Sequence, residues 1–349
     1  MQSAELAPLY RISRVIRGNW QLAGGHGAVD AQAAVEDLFA FADAGITTFD
    51  CADIYTGVED MIGLFRERYR NARGAQAADA IRVHTKFVPD LDALGTITRA
   101  EVEASIDTSL RRLRTERLDL VQFHWWDYEV PRYVEVAGWL DALRQAGKIA
   151  HVGGTNFDTP RAAELRAAGL PLFSMQVQYS LLDRRPENGL LAQAAESGMA
   201  ILCYGTVAGG FLSDKWLGMP EPREPLENRS LTKYKLIIDE FGGWDLFQAL
   251  LATLREVADR RGVDIATVAS RAVLERPGVS AVIVGARNRA HLPANLAISD
   301  MEFSAEDAGA IQAVLSQASP VPGDVYDLER DRTGRHGSIM KYGLNKTAA

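Results

Sequence analysis

The chain has 349 residues, of which 47% are hydrophobic and 24% are charged, and its formal net charge is -8. This composition is ordinary for a globular protein with a sizeable core. The negative charge argues against nucleic acid or an anionic membrane as a partner, because both attract basic surfaces. Two cysteines, Cys51 and Cys203, are too few for a disulfide framework, and the first residues lack a secretory pattern. A cytoplasmic location is therefore predicted.

Short runs of β-branched and apolar residues alternate with longer segments of helical periodicity. Residues such as Val102, Ile106 and Leu113 show the helical spacing, and Gly45 and Gly147 stand where helices are expected to end. Alternating strands and helices predict a parallel sheet, because parallel neighbours need a crossover. The eight predicted strands are residues 15–18, 47–50, 81–86, 118–123, 151–155, 173–178, 200–204 and 281–284.

Eight such units favour a closed (β/α)8 TIM barrel, with residues 1–349 as one domain, over an open doubly wound sheet. Two segments interrupt the alternation. Residues 205–243 form a long, Gly- and Pro-containing loop after the seventh strand, and connections of this length are usually functional. Residues 319–349 form an irregular C-terminal tail, which is either frayed or a cover over the barrel mouth.

Polar side chains gather at the carboxyl ends of the predicted strands, where barrel enzymes place their working groups. Asp50 ends the second strand and Tyr55 lies in the loop after it, while Lys86 ends the third strand and His124 follows the fourth. Each residue alone has an ordinary structural interpretation as a cap, a packed ring or a solvated charge. Their combination in this strand order predicts one catalytic site.

The chemistry of these four groups fits the reduction of a carbonyl. Asp50 would hold Lys86, whose ammonium would lower the pKa of Tyr55 from about 10 and make the phenol a better proton donor. His124 would donate a second hydrogen bond to the same carbonyl oxygen. No side chain supplies a hydride, so a nicotinamide cofactor is implied.

Sequence motifs for other chemistries are absent. The chain contains no P-loop, no H-E-x-x-H helix, no G-x-S-x-G elbow and no G-x-G-x-x-G fingerprint after a strand. Two cysteines also make a thiolate zinc cluster improbable, so no metal site is predicted.

Six motifs, in this order and on these elements, resemble the aldo-keto reductase superfamily over nearly the full length. They read GITTFDCADIYTGVEDMIG (45–63), DLVQFHWW (119–126), GKIAHVGGTNF (147–157), MQVQYSLLDR (175–184), ILCYGTVAGGFLSDKW (201–216) and VIVGARN (282–288). The resemblance implies an oxidoreductase in which Tyr55 is the general acid, Asp50 and Lys86 tune it, and His124 orients the carbonyl.

The resemblance also implies a dinucleotide cofactor, NADP(H), with NAD(H) as the alternative. Residues 205–243 would clamp it, and Arg287 and Asn288 would replace the Lys-Ser pair that the family often has beside the adenosine 2′-phosphate. The residues implied at the nicotinamide are Thr155, Asn156, Gln176 and Tyr204, those at the pyrophosphate are Gly205, Thr206, Ala208, Gly209 and Phe211, and those at the adenosine end are Gly285, Ala286, Arg287, His291 and Asn295.

Aromatic residues at the same edge predict a substrate pocket for a small carbonyl or alcohol. Trp20, Phe87 and Trp125 are assigned to this pocket, and Trp126 to the core. Two other functions stay open: a redox-sensing regulatory subunit that binds the cofactor with little turnover, and a barrel lyase or isomerase without nicotinamide. The sequence leaves the physiological substrate and the oligomeric state undetermined.

Overall fold

The computed structural model describes residues 1–24, 29–223 and 225–345, and its centre is a closed barrel of eight parallel strands. The eight predicted strands are confirmed within two residues at each end, and β10 pairs with both β9 and β3, so the open-sheet alternative is wrong. The strands are β1 Ser3–Ala7, β2 Tyr10–Ser13, β3 Val15–Gly18, β4 Thr48–Asp50, β5 Arg82–Phe87, β6 Leu118–Phe123, β7 Ile149–Thr155, β8 Ser174–Gln178, β9 Ala200–Tyr204 and β10 Val279–Gly285.

Helices cover the outside of the barrel. In α4, Thr98 and Glu101 form a reciprocal capping box, and Val102 is buried on the face towards the barrel. Gly45 and Gly147 follow α1 and α5 with φ of 93° and 85°, a conformation that glycine adopts without steric cost. The helices are α1 Ala31–Asp43, α2 Val58–Arg73, α3 Ala75–Ala78, α4 Arg99–Arg112, α5 Tyr133–Gln145, α6 Thr159–Ala167, α7 Leu190–Ser197, α8 Arg229–Phe241, α9 Gly243–Arg261, α10 Ile265–Leu274, α11 Leu292–Asp300, α12 Ala305–Leu315 and α13 Asp327–Arg330.

An N-terminal hairpin, which the sequence analysis did not predict, precedes the barrel. Strands β1 and β2 pair in antiparallel fashion, and Leu9 turns the chain between them with φ of 66°. Tyr10 and Ile12 are buried and pack against Leu120 and Leu202 inside the barrel. The hairpin therefore closes the end of the barrel at which its strands begin.

The segment 205–243 is a loop only in part, because its last third is the helix α8. The residue at 224 lies outside the described part of this segment. Tyr234 of α8 lies over the loop that follows β9: a Cβ added at Gly205 would stand 2.2 Å from Tyr234 Oη, and one at Gly209 would stand 2.7 Å from its ring. The two glycines thus leave space for this ring, and α8 is packed onto the loop.

The C-terminal segment covers the barrel mouth over its described part, residues 319–345. Arg330 donates hydrogen bonds to the carbonyl oxygens of Trp125 and Asn156, at 3.1 and 2.7 Å, and so joins the loops after β6 and β7. Near the end of the segment, Asn345 donates to Asp90 after β5, at 3.0 Å. Of the two predicted forms of this tail, the cover is the one observed.

A buried charge network fastens this cover to the barrel. Glu329 accepts hydrogen bonds from Arg185 at 2.9 and 3.1 Å, and Arg185 also pairs with Asp183 at 2.7 Å. Lys233 of α8 lies 3.5 Å from Glu329. Burial opposes the charge of Glu329, but the two cations outweigh it and lower the pKa of this carboxyl to about 2.

Replacing Glu329 should destabilise the fold in a pH-dependent way. Glu329→Gln leaves Arg185 and Lys233 without their shared anion, so we expect the free energy of unfolding at pH 7 to fall by about 3–5 kcal/mol. A depressed carboxyl pKa contributes stability above its unfolded value near 4.3, and this contribution is lost as the pH falls towards 2. The difference between wild type and variant, measured by urea unfolding, should therefore shrink between pH 4.5 and 2.5.

Glu67→Gln provides the control, because Glu67 pairs with Arg114 on the surface, where both side chains are about half exposed. Glu67→Gln should lower the free energy of unfolding by only about 0–1 kcal/mol. An equal loss of stability in both variants, or a Glu329→Gln loss that does not change with pH, would contradict the importance of the buried network.

Candidate active site

Asp50, Lys86 and Tyr55 meet at the carboxyl end of the barrel. Lys86 Nζ lies 2.7 Å from Asp50 Oδ1 and 2.7 Å from the carbonyl oxygen of Cys51, and both charged side chains are less than a tenth exposed. The same amine lies 5.2 Å from the centroid of the Tyr55 ring. The lysine therefore points towards the phenol, as the sequence analysis expected.

Two glutamines complete the surroundings of Asp50. Its second oxygen, Oδ2, accepts hydrogen bonds from Gln176 at 2.6 Å and from Gln122 at 3.2 Å. The carboxylate thus has three hydrogen-bonded neighbours and a fixed orientation. Gln122 was missed by the sequence analysis, although it stands two residues before His124 on β6, where strand alternation points both side chains into the barrel.

Lys86 lowers the pKa of Tyr55, as expected, but the net pKa of this phenol still lies above its usual value. Burial raises the pKa of Tyr55 to about 12, and the nearby ammonium offsets this rise only in part. Burial also opposes the charge on Lys86, but Asp50 outweighs it and raises the pKa of this amine above its ordinary value. At neutral pH the site thus holds a protonated phenol beside a charged ammonium.

His124 is neutral and has a defined tautomer. Its Nδ1 lies 3.0 Å from the carbonyl oxygen of Thr155, and because a carbonyl can only accept, Nδ1 carries the proton. Burial, with a smaller contribution from the charge of Arg330, lowers the pKa of His124 to about 3. Nε2 therefore presents a lone pair, and it is buried without a partner among the described residues. In this tautomer Nε2 can accept a hydrogen bond but cannot donate one, whereas the sequence analysis expected a donor.

The four residues implied at the nicotinamide form one polar wall on β7, β8 and β9, beside Asp50. Tyr204 Oη donates to Asn156 Oδ1 at 2.9 Å, and the backbone nitrogen of Asn156 donates to the carbonyl of Gln176 at 2.9 Å. Thr155 ends β7 directly before Asn156, which has φ of 60°. The side chains of this wall offer amide and hydroxyl groups of the kind that could hold a carboxamide.

The residues implied at the phosphates lie on the two neighbouring loops. After β9, Gly205, Ala208 and Gly209 have positive φ, and Thr206 forms a hydrogen bond with Ser270 at 2.9 Å. Within the same loop, the side chain of Phe211 is fully buried and packs in the core beneath it.

At the end of β10, the backbone and side chains offer groups that suit a nucleotide. Gly285, Arg287 and His291 are exposed, Ala286 is buried, and Asn295 Nδ2 is buried without a hydrogen-bond partner among the described residues. A basic exposed rim with an unpaired amide beneath it fits a phosphorylated nucleotide.

Comparison with known proteins identifies the family of this barrel. The family model described as Aldo/keto reductase family matches residues 14–316. The chain belongs to the aldo/keto reductase family.

No helix in the described ranges is long and apolar enough to cross a membrane, and no group of three or more His, Cys, Asp or Glu in those ranges could hold a metal ion.

Similar proteins cover most of this aldo/keto reductase. The aldo-keto reductase YhdN of Bacillus subtilis is 28% identical over 316 residues, which are 89% of this chain and 92% of that protein. L-glyceraldehyde 3-phosphate reductase of Escherichia coli K12 is 29% identical over 320 residues, 86% of this chain and 88% of that protein. The solved glycerol dehydrogenase AKR11B4 of Gluconobacter oxydans has a TM-score of 0.73 and 25% identity, with 90% of this chain and 95% of that chain covered.

The predicted substrate-pocket residues of this aldo/keto reductase fall in two different places. Trp20 is 40% exposed and its ring lies 4.9 Å from that of Tyr55, at the site. Phe87 and Trp125 instead pack against Phe123, with ring centroids 6.1 and 5.7 Å apart, between the barrel and its helices. Phe87 directly follows Lys86 on β5, so strand alternation turns it to the opposite face.

Both adjacent tryptophans are buried in the core, as the sequence analysis expected for Trp126 but not for Trp125. Trp125 is fully buried, and its indole nitrogen donates to the carbonyl oxygens of Asp127 and Val130. Trp126, which was assigned to the core, lies edge-on to His124 with centroids 4.2 Å apart. Tyr326 of the C-terminal cover lies 5.6 Å from the same imidazole and could not be assigned from the barrel motifs.

Substitutions should separate the two classes of tryptophan. Trp125→Ala removes a fully buried ring, so we expect the free energy of unfolding to fall by about 3–5 kcal/mol in urea titrations, with dinucleotide affinity unchanged. Trp20→Ala is the matched control: its ring is partly exposed, so its effect on stability should stay below about 1 kcal/mol, while kcat/KM should fall. Unchanged stability of Trp125→Ala with a raised KM would place Trp125 in the pocket.

Proposed function

We propose that this aldo/keto reductase is an NADP(H)-dependent oxidoreductase that transfers a hydride between nicotinamide and the carbon of a carbonyl or alcohol. The observation that carries the proposal is the buried Lys86–Asp50 pair whose ammonium faces the Tyr55 ring. The names of relatives are consistent with it, because one is a reductase of an aldehyde and another a dehydrogenase of an alcohol. The substrate class is therefore an aldehyde, ketone or sugar and the corresponding alcohol.

Tyr55 donates the proton to the carbonyl oxygen in the direction of reduction. Its high pKa keeps the phenol protonated, and the ammonium of Lys86 stabilises the phenolate that forms as the proton leaves. Asp50 keeps Lys86 charged and oriented. The bound dinucleotide would supply the hydride, and the wall of Thr155, Asn156, Gln176 and Tyr204 described above would orient its nicotinamide.

NADP is the proposed dinucleotide because an exposed arginine, Arg287, stands where the adenosine end would lie. Arg287 and His291 are exposed at the end of β10. An arginine can bind a phosphate through two parallel hydrogen bonds, which gives it both affinity and orientation. Two free, buried cysteines are also compatible with the proposed cytoplasmic location.

Tyr55→Phe tests the proposed proton donor. Removing the hydroxyl should lower kcat for aldehyde reduction by about 10²–10⁴, because proton donation is lost while the ring stays in place. Quenching of tryptophan fluorescence by NADPH should remain as in wild type. Tyr69→Phe, which alters a hydroxyl bonded to Asp43 on the helical layer, should leave kcat unchanged.

The outcomes distinguish the proposed enzyme from the alternatives. Turnover by Tyr55→Phe at the wild-type rate would refute the role of the phenol. If wild type binds dinucleotide and oxidises none of it with a panel of aldehydes, ketones and sugars, the redox-sensing subunit is favoured instead. Absence of fluorescence quenching by NADPH and NADH alike would exclude both functions.

The tautomer of His124 restricts the substrate further. A carbonyl oxygen facing the lone pair of Nε2 would be repelled, whereas a hydroxyl next to the carbonyl could donate to it. We therefore expect hydroxyacetone to be reduced with a kcat/KM about tenfold or more above that of methoxyacetone, which has the same skeleton without the hydroxyl proton. Steady-state rates with saturating NADPH measure the ratio.

His124→Phe provides the comparison for this prediction. The variant keeps a ring at the position and removes Nε2, so the ratio between the two ketones should fall towards one. A wild-type ratio near one, or a ratio that His124→Phe leaves unchanged, would show that Nε2 does not accept a hydrogen bond from the substrate.

A further inference from the structure

Arg17 is fully buried in β3 and lacks the acidic partner that buried cations usually have. None of its surface is exposed, and within the described ranges no carboxylate oxygen lies within ion-pair distance of its guanidinium. Nε and Nη1 have no hydrogen-bond partner among the described residues, and Nη2 reaches only the carbonyl oxygen of Ala286, at 3.5 Å. Its guanidinium packs over Phe41, 4.7 Å from the ring centroid. An arrangement of this kind costs free energy in the free protein.

The carboxylate whose charge acts on Arg17, that of Asp37, is already engaged by a second arginine. Asp37 stands one helical turn before Phe41 on α1 and accepts a hydrogen bond from Arg289 Nε at 2.9 Å. Burial lowers the pKa of Arg17 to about 10, and the charge of Asp37 offsets this only in part. Arg289 also lies 3.6 Å from the exposed Glu36, whereas Arg17 has no carboxylate of its own within the described ranges, so the buried guanidinium of Arg17 is short of an anion.

The unpaired guanidinium of Arg17 lies beside the loop at which the adenosine end of the cofactor is expected. In the register between β3 and β10, Arg17 is opposite Val284 and Gly18 is opposite Gly285. The next residue, Ala286, is the one whose carbonyl Arg17 contacts, and the exposed Arg287 follows it. An anion bound on the outer side of this loop would lie close to the buried guanidinium.

We propose that Arg17 is a positioning residue for a phosphate ester, because the anion missing from its surroundings is supplied by the bound dinucleotide at the end of β10. The inference rests on the proposed function, since it takes the ligand to be that dinucleotide. The buried charge acts through the loop 285–287 and favours a phosphate there over a neutral hydroxyl. The energetic cost of an unpaired cation is thereby offset only when the ligand is bound.

Two sources of phosphate share this chemistry, and dissociation constants for NADPH and NADH distinguish them. Both dissociation constants are measured by quenching of tryptophan fluorescence, on wild type and on Arg17→Met. This substitution keeps much of the length of the side chain and removes its charge. Loss of roughly tenfold or more in NADPH affinity with NADH unchanged assigns the 2′-phosphate. An equal loss for both assigns the diphosphate bridge. If Arg17→Met binds NADPH and NADH as tightly as wild type does, the proposal is overturned.

Thermal unfolding of the ligand-free chain gives a readout that a purely structural role would not produce. Because Arg17 lacks a partner, Arg17→Met should unfold at the wild-type temperature or above it. Arg271→Met is the control: Arg271 is also buried, but it pairs with Glu275 at 2.8 Å, so its loss should lower the unfolding temperature and leave NADPH affinity unchanged. A fall in both variants, with unchanged dinucleotide binding, contradicts the proposal.

A measurement on wild type alone keeps the proposal testable if Arg17→Met does not fold. At equal concentrations, 2′-AMP or inorganic pyrophosphate should raise the unfolding temperature more than adenosine does, since only the first two carry the missing anion. If all three compounds raise the unfolding temperature equally, the inference about Arg17 is overturned, but the proposed hydride transfer is not affected. Failure of the chain to bind either dinucleotide overturns the inference and the proposed function together.

Discussion

The ion pair between Lys86 and Asp50 is held out of water at the carboxyl end of the barrel, and the surrounding groups keep it charged. A buried ammonium ordinarily loses its proton, so the position is possible only because a fixed carboxylate lies in contact with it. Gln122 and Gln176 fix that carboxylate from the opposite side. The pair therefore depends on the register of β4 and β5, and β6 and β8 supply the glutamines that orient its carboxylate.

Lys86 and His124 are kept in different charge states by their surroundings. Lys86 has a carboxylate in contact and stays cationic, whereas burial, together with the nearby charge of Arg330, keeps His124 neutral. Arg330 belongs to the C-terminal cover, so a segment beyond the family match at residues 14–316 contributes to the electrostatics of the site. The barrel supplies the proposed proton donor, Tyr55, and the C-terminal cover influences the charge state of His124.

The sequence predicted those features that depend on local pattern and strand order. Eight apolar runs and the polar residues at their ends were enough for the barrel and for the position of Asp50, Lys86 and Tyr55. Alternation along β5 and β6 could also have assigned Phe87 to the outer layer and Gln122 to the interior, but it was not applied to them.

Other features were beyond the sequence because they depend on distant packing. The partners Arg185 and Glu329 are 144 positions apart, and no pattern connects them. The pKa of Tyr55 depends on burial by the assembled site, and the core position of Trp125 depends on an irregular loop without periodicity. The hairpin of β1 and β2 is short and mixed in polarity, so it gave no clear strand signal.

The hairpin and the cover seal opposite ends of the barrel, which has a practical consequence for handling the protein. A fluorophore or solid support coupled near Ser3 would sit at the far end of the barrel axis from Lys86. The same attachment near Asn345 would sit beside Asp90 and the mouth. Immobilisation through the first strand therefore leaves the path to the phenol free, whereas immobilisation through the last described residues crowds it.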